Sequence, residues 1–250
     1  MKKLVPSLLL TTLVSVPAIA IAADSPHTVT GNLSLTNDYR FRGISQTYKD
    51  PAIQGGFDYA HTSGFYLGTW ASNVESVSLN GANMEWDFYG GYSTNLTDDI
   101  NLNVGGLYYY YPSQTGGAAT DIDTFEVYAG VTWKWLNLKY SHTTTKLFGI
   151  AGSKGSGYLE ANATFPLGSD FTLGLHYANQ GVDGAGNDDY SDWKISISKP
   201  IGGFNVTLAY VDTDVKATNA TWGGNVNAAK GTDTEDLTDG TLLLTVGKTF

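Results

Sequence analysis

The 250-residue sequence contains no cysteine. Disulfides, thiolate metal centres and thiol nucleophiles are therefore excluded. Charge is scarce, at 15 % of residues, and only two of the fourteen basic residues are arginines, Arg40 and Arg42. A basic surface is missing as well. The formal net charge is −10, which argues against nucleic acid as a partner, since phosphate binding needs clustered positive charge. Beyond residue 22 no apolar run approaches the ~20 residues of a membrane helix.

What is present begins with MKKLVPSLLLTTLVSVPAIAIAAD. Lys2 and Lys3 precede a mostly apolar stretch, and Ala20-Ile21-Ala22 is a small-x-small cleavage site. Residues 1–22 read as a secretory signal peptide; Pro6 and Pro17 suit it poorly for a spanning helix. Its removal takes away two lysines and no acid, so the mature chain, 23–250, moves from −10 to −12. Thirty glycines, 16 tyrosines, 10 phenylalanines and 6 tryptophans favour strands and turns.

Alternation with period two runs along nearly the whole mature chain. FTLGLHYANQ (171–180) sets Phe171, Leu173, Leu175 and Tyr177 against Thr172, Gly174, His176, Ala178 and Gln180. FNVTLAYVDT (204–213) and DTFEVYAGVTWK (123–134) repeat the pattern. This is the strand signal. It predicts twelve strands over 28–43, 51–61, 65–73, 84–94, 100–111, 122–134, 135–145, 157–166, 171–180, 191–200, 204–213 and 240–250. The connections alternate between short turns and long polar loops. The pattern predicts an all-β fold: a transmembrane antiparallel up-and-down β-barrel of about 12 strands, with short turns and both the N- and C-termini periplasmic. The strands are long enough to cross a bilayer when tilted.

Aromatic residues fall near strand ends, as interfacial girdles require. The short-turn set includes Trp133, Trp135, Phe165, Phe171, Phe204 and Phe250; the long-loop set includes Tyr39, Phe41 and Trp86. The last strand ends on Phe250, with Leu242, Leu244 and Val246 on its face. This resembles the terminal signature that the barrel assembly machinery reads, with Lys248 as a departure able to snorkel to headgroups.

The stretches NLSLTNDYRFRGISQT and PAIQGGFDYAHTSGFYLGTWASNV, then EWDFYGGY and DYSDWKISISKPIGGFNVTLAYVDTD, resemble the TorF family of porin-type outer-membrane proteins, whose function is uncharacterised. The similarity covers essentially the whole mature chain and is most specific near its start. It implies a barrel and a pore in the bacterial outer membrane, with no substrate and no catalytic residues.

Parity places most in-strand charge on the inner face: Asp38, Arg40, Arg42, Asp58, Glu85, Asp87, Glu126, Lys134, Lys139, Glu160 and Lys194. Lys or Arg on the lipid face would cost about 2–4 kcal/mol at mid-membrane. Two readings stand side by side: a charged lumen that filters solutes, and a plugged interior where opposite charges pair. His61-Thr62-Ser63 resembles the nucleophile pair of outer-membrane phospholipases, but that pair needs a strand near the outer leaflet and a third group orienting the His, whereas this one lies at a short periplasmic turn with a glycine following. His142 and His176 lack a second ligand at metal spacing, and the acidic glycine-rich loops lack the calcium-loop spacing. No enzyme activity, cofactor or metal is expected. The expected function is a narrow passive channel for small hydrophilic solutes; the alternative is a closed barrel acting through its long acidic loops. The expected partners are outer-membrane lipid, lipopolysaccharide, the barrel assembly machinery and the solute. In this scheme Tyr39 and Phe41 face lipid while Arg40 and Arg42 face the lumen, and Arg40 or Arg42 pairs with an interior carboxylate, Asp58, Glu85 or Asp87; one choice of register sets Arg40 across from Asp58.

Overall fold

In the computed structural model, residues 25–115, 121–184, 188–216, 222 and 235–250 are described. The predicted signal peptide, residues 1–22, lies outside them, as does the central part of the last long loop. The strands are β1 (His27–Thr36), β2 (Arg40–Phe41), β3 (Ile44–Ser45), β4 (Ala52–His61), β5 (Phe65–Asn73), β6 (Met84–Asn95) and β7 (Ile100–Tyr110), followed by β8 (Thr124–Trp133), β9 (Leu136–Thr143), β10 (Gly157–Gly168), β11 (Phe171–Gly181), β12 (Tyr190–Ile201), β13 (Phe204–Thr213) and β14 (Thr241–Thr249). Twelve of them close into one antiparallel barrel in sequence order. β2 and β3 form a separate two-stranded hairpin.

Alternation sorts the side chains as a closed sheet demands. On β6, Glu85, Asp87 and Tyr89 are buried between exposed Trp86 and Phe88. On β8, Thr124, Glu126 and Tyr128 are buried between exposed Phe125, Val127 and Val131. Trp86, Trp133, Trp135, Phe171, Phe204 and Phe250 are exposed on the outer surface, and Phe165 lies beside Trp135 with the rings tilted and their centroids 5.1 Å apart. Lys134 departs from its expected inward position. β8 ends at Trp133, and Lys134 turns the chain with φ 54°. Its ammonium lies 3.3 Å from Asp99 at the short-turn rim, outside the lumen.

Between β4 and β8 the interior is filled rather than open. Tyr66, Tyr89, Tyr109, Tyr111 and Tyr128 form one buried cluster with Leu107, Ala60 and Ala82. Three of these rings lie over a glycine directly across the ladder: Tyr89 opposite Gly68, Tyr66 opposite Gly91, and Tyr128 opposite Gly105. A Cβ on any of the three glycines would collide with the ring. The glycines make the sheet surface flat enough for large side chains to lie down inside a twelve-stranded ring. The hydroxyls then find partners, as buried tyrosines must: Tyr66 and Tyr128 share a 2.6 Å hydrogen bond, and Tyr66 also donates to Asn103 at 2.6 Å.

The ring closes at its shortest ladder. β1 pairs with β4 over ten residues but with β14 over five, from Asn32 opposite Thr249 to Thr36 opposite Thr245. Gly31 and Phe250 extend this seam by exchanging backbone hydrogen bonds of 2.8 and 2.9 Å.

Gly91→Ala tests the ring-over-glycine packing, because the added methyl meets both the Tyr66 ring and the Val104 carbonyl oxygen. The expected loss is about 1–3 kcal/mol, typical of overpacking, read as a lower urea midpoint of the folded barrel in detergent. An unchanged midpoint would contradict the packing.

Candidate functional site: a hairpin across the lumen

The first predicted strand, 28–43, is corrected by the structure. β1 leaves the barrel at Thr36, and residues 38–48 fold inward. The alternation of Asp38-Tyr39-Arg40-Phe41-Arg42 is real, but it belongs to a hairpin standing inside the ring. Arg42 and Gly43 both take positive φ, 47° and 85°, the geometry of a tight two-residue hairpin turn. For Arg42 the left-handed conformation costs roughly 1–2 kcal/mol, so its side-chain contacts have to hold it there.

Those contacts span the barrel. Arg42 Nη2 donates to both carboxylate oxygens of Glu126 on β8, at 2.9 and 2.8 Å. Nη1 donates to Gln180 Oε1 on β11 at 2.6 Å. The guanidinium lies over the Tyr158 ring of β10, 4.1 Å from its centroid. A Cβ on Gly43 would sit 3.0 Å from the Cβ atoms of Asp192 and Thr213, so the hairpin tip rests against β12 and β13.

Arg40 ties the hairpin to the seam. Its Nε donates to Asp38 at 2.6 Å, and Nη1 donates to the carbonyls of Leu237 and Asp239, both at 2.9 Å. Asp38 also accepts from Ser45 and Thr47. Ser45 N–H donates to the Leu237 carbonyl at 2.9 Å. At the outer edge Lys49 bridges Glu235 and Asp239, at 3.1 and 3.0 Å. Burial pushes the Lys49 ammonium down, but these two carboxylates outweigh it and raise it above its ordinary value.

Tyr39 and Phe41 are corrected as well. Both sit inside the barrel rather than on its outer surface. The Tyr39 hydroxyl donates to Glu85 at 2.9 Å, and the Phe41 ring meets Tyr109 and Phe148 edge-on. They turn inward because the whole segment has left the wall.

The arginines do pair with interior carboxylates, though with different ones from those expected. Thr30, not Arg40, lies opposite Asp58 in the ladder. Asp58 accepts from Tyr89 at 2.5 Å. Glu85 accepts from Tyr39 and Tyr111. Asp87 is fully buried with no hydrogen-bond partner on either oxygen. Farther along the wall Lys139 meets Glu160 at 2.7 Å, and Lys194 lies on the inner face of β12. Sequence reasoning passed over Asp192, which shares that face two residues before Lys194. It accepts from Tyr158 at 2.9 Å and lies 3.0 Å from His176 Nε2. Gln180 and His176 were on the polar face, but only the folded hairpin makes Gln180 a partner of Arg42.

Above the crossbar lies a cavity of about 340 Å³. Phe41, Tyr111, Phe148, Tyr190 and Trp222 supply aromatic walls, and Arg42 and Gln180 also line it. Among the described residues no group of three or more His, Asp or Glu is placed to hold a metal. The His61–Ser63 contact is a local turn, with Nδ1 2.6 Å from the hydroxyl on an exposed surface.

A family model described as a bacterial protein of unknown function, Gcw_chp, matches residues 20–250. No curated protein matches the chain. Among solved structures, the KdgM porin in complex with disordered oligogalacturonate is similar at a TM-score of 0.56 and 8 % identity, over 89 % of this chain and 99 % of that one. The NanC porin is similar at 0.52 and 12 % identity, over 86 % and 97 %. The fold is therefore that of the outer-membrane porins, with twelve strands.

Arg42→Ala leaves Glu126 buried, at 2 % exposure, without its cation. A loss of about 3–5 kcal/mol is expected for breaking such a pair. Joint replacement, Arg42→Met with Glu126→Leu, should lose less than either single change. Urea unfolding in detergent checks this; additive losses would show that the two groups are not coupled.

Proposed function

Because the chain belongs to the Gcw_chp family of bacterial proteins of unknown function, we propose its role from geometry: a narrow passive channel of the outer membrane for small hydrophilic solutes. One observation carries this reading. A closed twelve-stranded barrel presents exposed Leu, Val, Ile and aromatic side chains outward and keeps its strand-borne carboxylates inward, except Asp212, which lies on the outer face of β13 one residue from the strand's end. Such a surface is stable in lipid and costly in water. The KdgM complex with oligogalacturonate supports a hydrophilic solute class for barrels of this fold.

The short turns and both termini face the periplasm after export by the signal peptide, residues 1–22. The exposed aromatics Trp86, Trp133, Trp135, Phe171, Phe204 and Phe250, with the half-buried Phe165, anchor the barrel at the two interfaces. The long acidic loops meet lipopolysaccharide, and the strand ending in Phe250 is offered to the assembly machinery. The chain is placed with the TorF-type porins on its N-terminal stretch. Asp58, Glu85, Asp87, Glu126, Lys139, Glu160 and Lys194 line the lumen, and the hairpin bearing Asp38, Arg40 and Arg42 is the constriction.

A second reading is favoured by the same hairpin: a closed barrel acting through its loops, since in the crossbar Arg42 is only 6 % exposed. Planar-bilayer recording separates the two. The channel reading expects discrete current steps from the purified protein. Replacing residues 38–47 with a glycine-serine linker should raise the step size about twofold or more, because the narrowest point of a pore dominates its resistance. Silence from both proteins would favour the closed barrel.

A further inference from the structure

Charge inside the barrel is mostly of one sign, and neutral groups hold much of it. Six carboxylates project inward from the strands, on Asp58, Glu85, Asp87, Glu126, Glu160 and Asp192, against two lysines, Lys139 and Lys194. The hairpin adds Asp38, Arg40 and Arg42. Three of these four cations are paired: Arg40 with Asp38, Arg42 with Glu126, and Lys139 with Glu160.

Of the other carboxylates, Asp58, Glu85 and Asp192 are satisfied by hydroxyls, while Asp87 has no partner. Tyr89 donates to Asp58, Tyr39 and Tyr111 donate to Glu85, and Tyr158 donates to Asp192. A neutral donor favours the ionised carboxylate without cancelling its charge. An anion pathway would need the reverse, arginines and lysines left over after pairing. Here Lys194 is the one inward cation with no ion pair among the described residues. With Asp87 left out of the count and His176 included among the bases, inward acidic groups still outnumber inward basic ones. Outside the hairpin the long loops continue the sign, with twelve Asp and Glu against five Lys and no Arg across 48–51, 74–83, 111–123, 144–156, 182–189 and 214–240. A mouth and lumen of one sign concentrate the opposite ion.

We infer that the channel selects small cations, inorganic or amine-bearing, over carboxylates and phosphates. This rests on the channel reading and adds its substrate class. The test is the reversal potential of the reconstituted protein in asymmetric KCl. The expected permeability ratio favours potassium over chloride by about threefold or more, as single-sign pore linings do. Asp192→Asn keeps an acceptor for Tyr158 and should move the ratio toward unity. Lys194→Gln removes the unpaired cation without touching a tyrosine–carboxylate contact and should raise it. Current with equal or chloride-favouring permeability overturns the inference alone. No current at all overturns the channel reading beneath it.

Discussion

Arg42 carries a full charge to a place from which water is nearly excluded, and Glu126 receives it through two hydrogen bonds. Neither group is tolerable there alone, since an unpaired buried ion costs several kcal/mol. That constraint organises the long-loop end of the molecule. It holds the hairpin turn in a left-handed conformation, brings β8, β10 and β11 to a common point, and sets the floor of the aromatic cavity. Arginine suits the position better than lysine would. Its planar fork makes three directed hydrogen bonds while one face stays against Tyr158.

The interior is divided by chemistry as well as by the crossbar. From β4 to β8, tyrosine rings lie across glycines and fill the space. From β9 to β14 the inward positions are mostly small or polar, among them Ser141, Thr143, Asn162, Gly174, Ser196 and Thr207. The two halves meet through hydroxyls. Tyr109 and Tyr111 reach Glu126 and Glu85 on the filled side, and Tyr158 reaches Asp192 on the other. Tyrosine does two jobs here, packing volume and solvating carboxylates, and that combination suits a barrel that holds both bulk and charge.

Much of this was legible in the sequence. Period-two alternation placed eleven of the twelve wall strands within a few residues, and parity put Asp58, Glu85, Asp87, Glu126, Lys139, Glu160 and Lys194 on the inner face. The failures have physical causes. Alternation reports extended backbone with two unlike faces; it cannot say whether those faces are lipid and lumen or two sides of an inserted hairpin. Asn37-Asp38 and Gly43 were turn signals inside an apparent strand. Lys134 was lost because parity ends where a turn begins. The partners of Arg42 lie 84 and 138 residues away, and no local pattern encodes pairings at that distance.

The clasp of Arg40 on the carbonyls of Leu237 and Asp239 joins positions 197 and 199 residues apart, beside the five-residue ladder that completes the ring. Contacts of such separation form late, because nearly the whole chain must be ordered before they repay its entropy. Arg40 cannot reach its carbonyl partners until β14 has arrived next to β1. The Arg40 part of the hairpin's docking is therefore coupled to closure of the cylinder, so the same contacts that seat the crossbar also guard the seam.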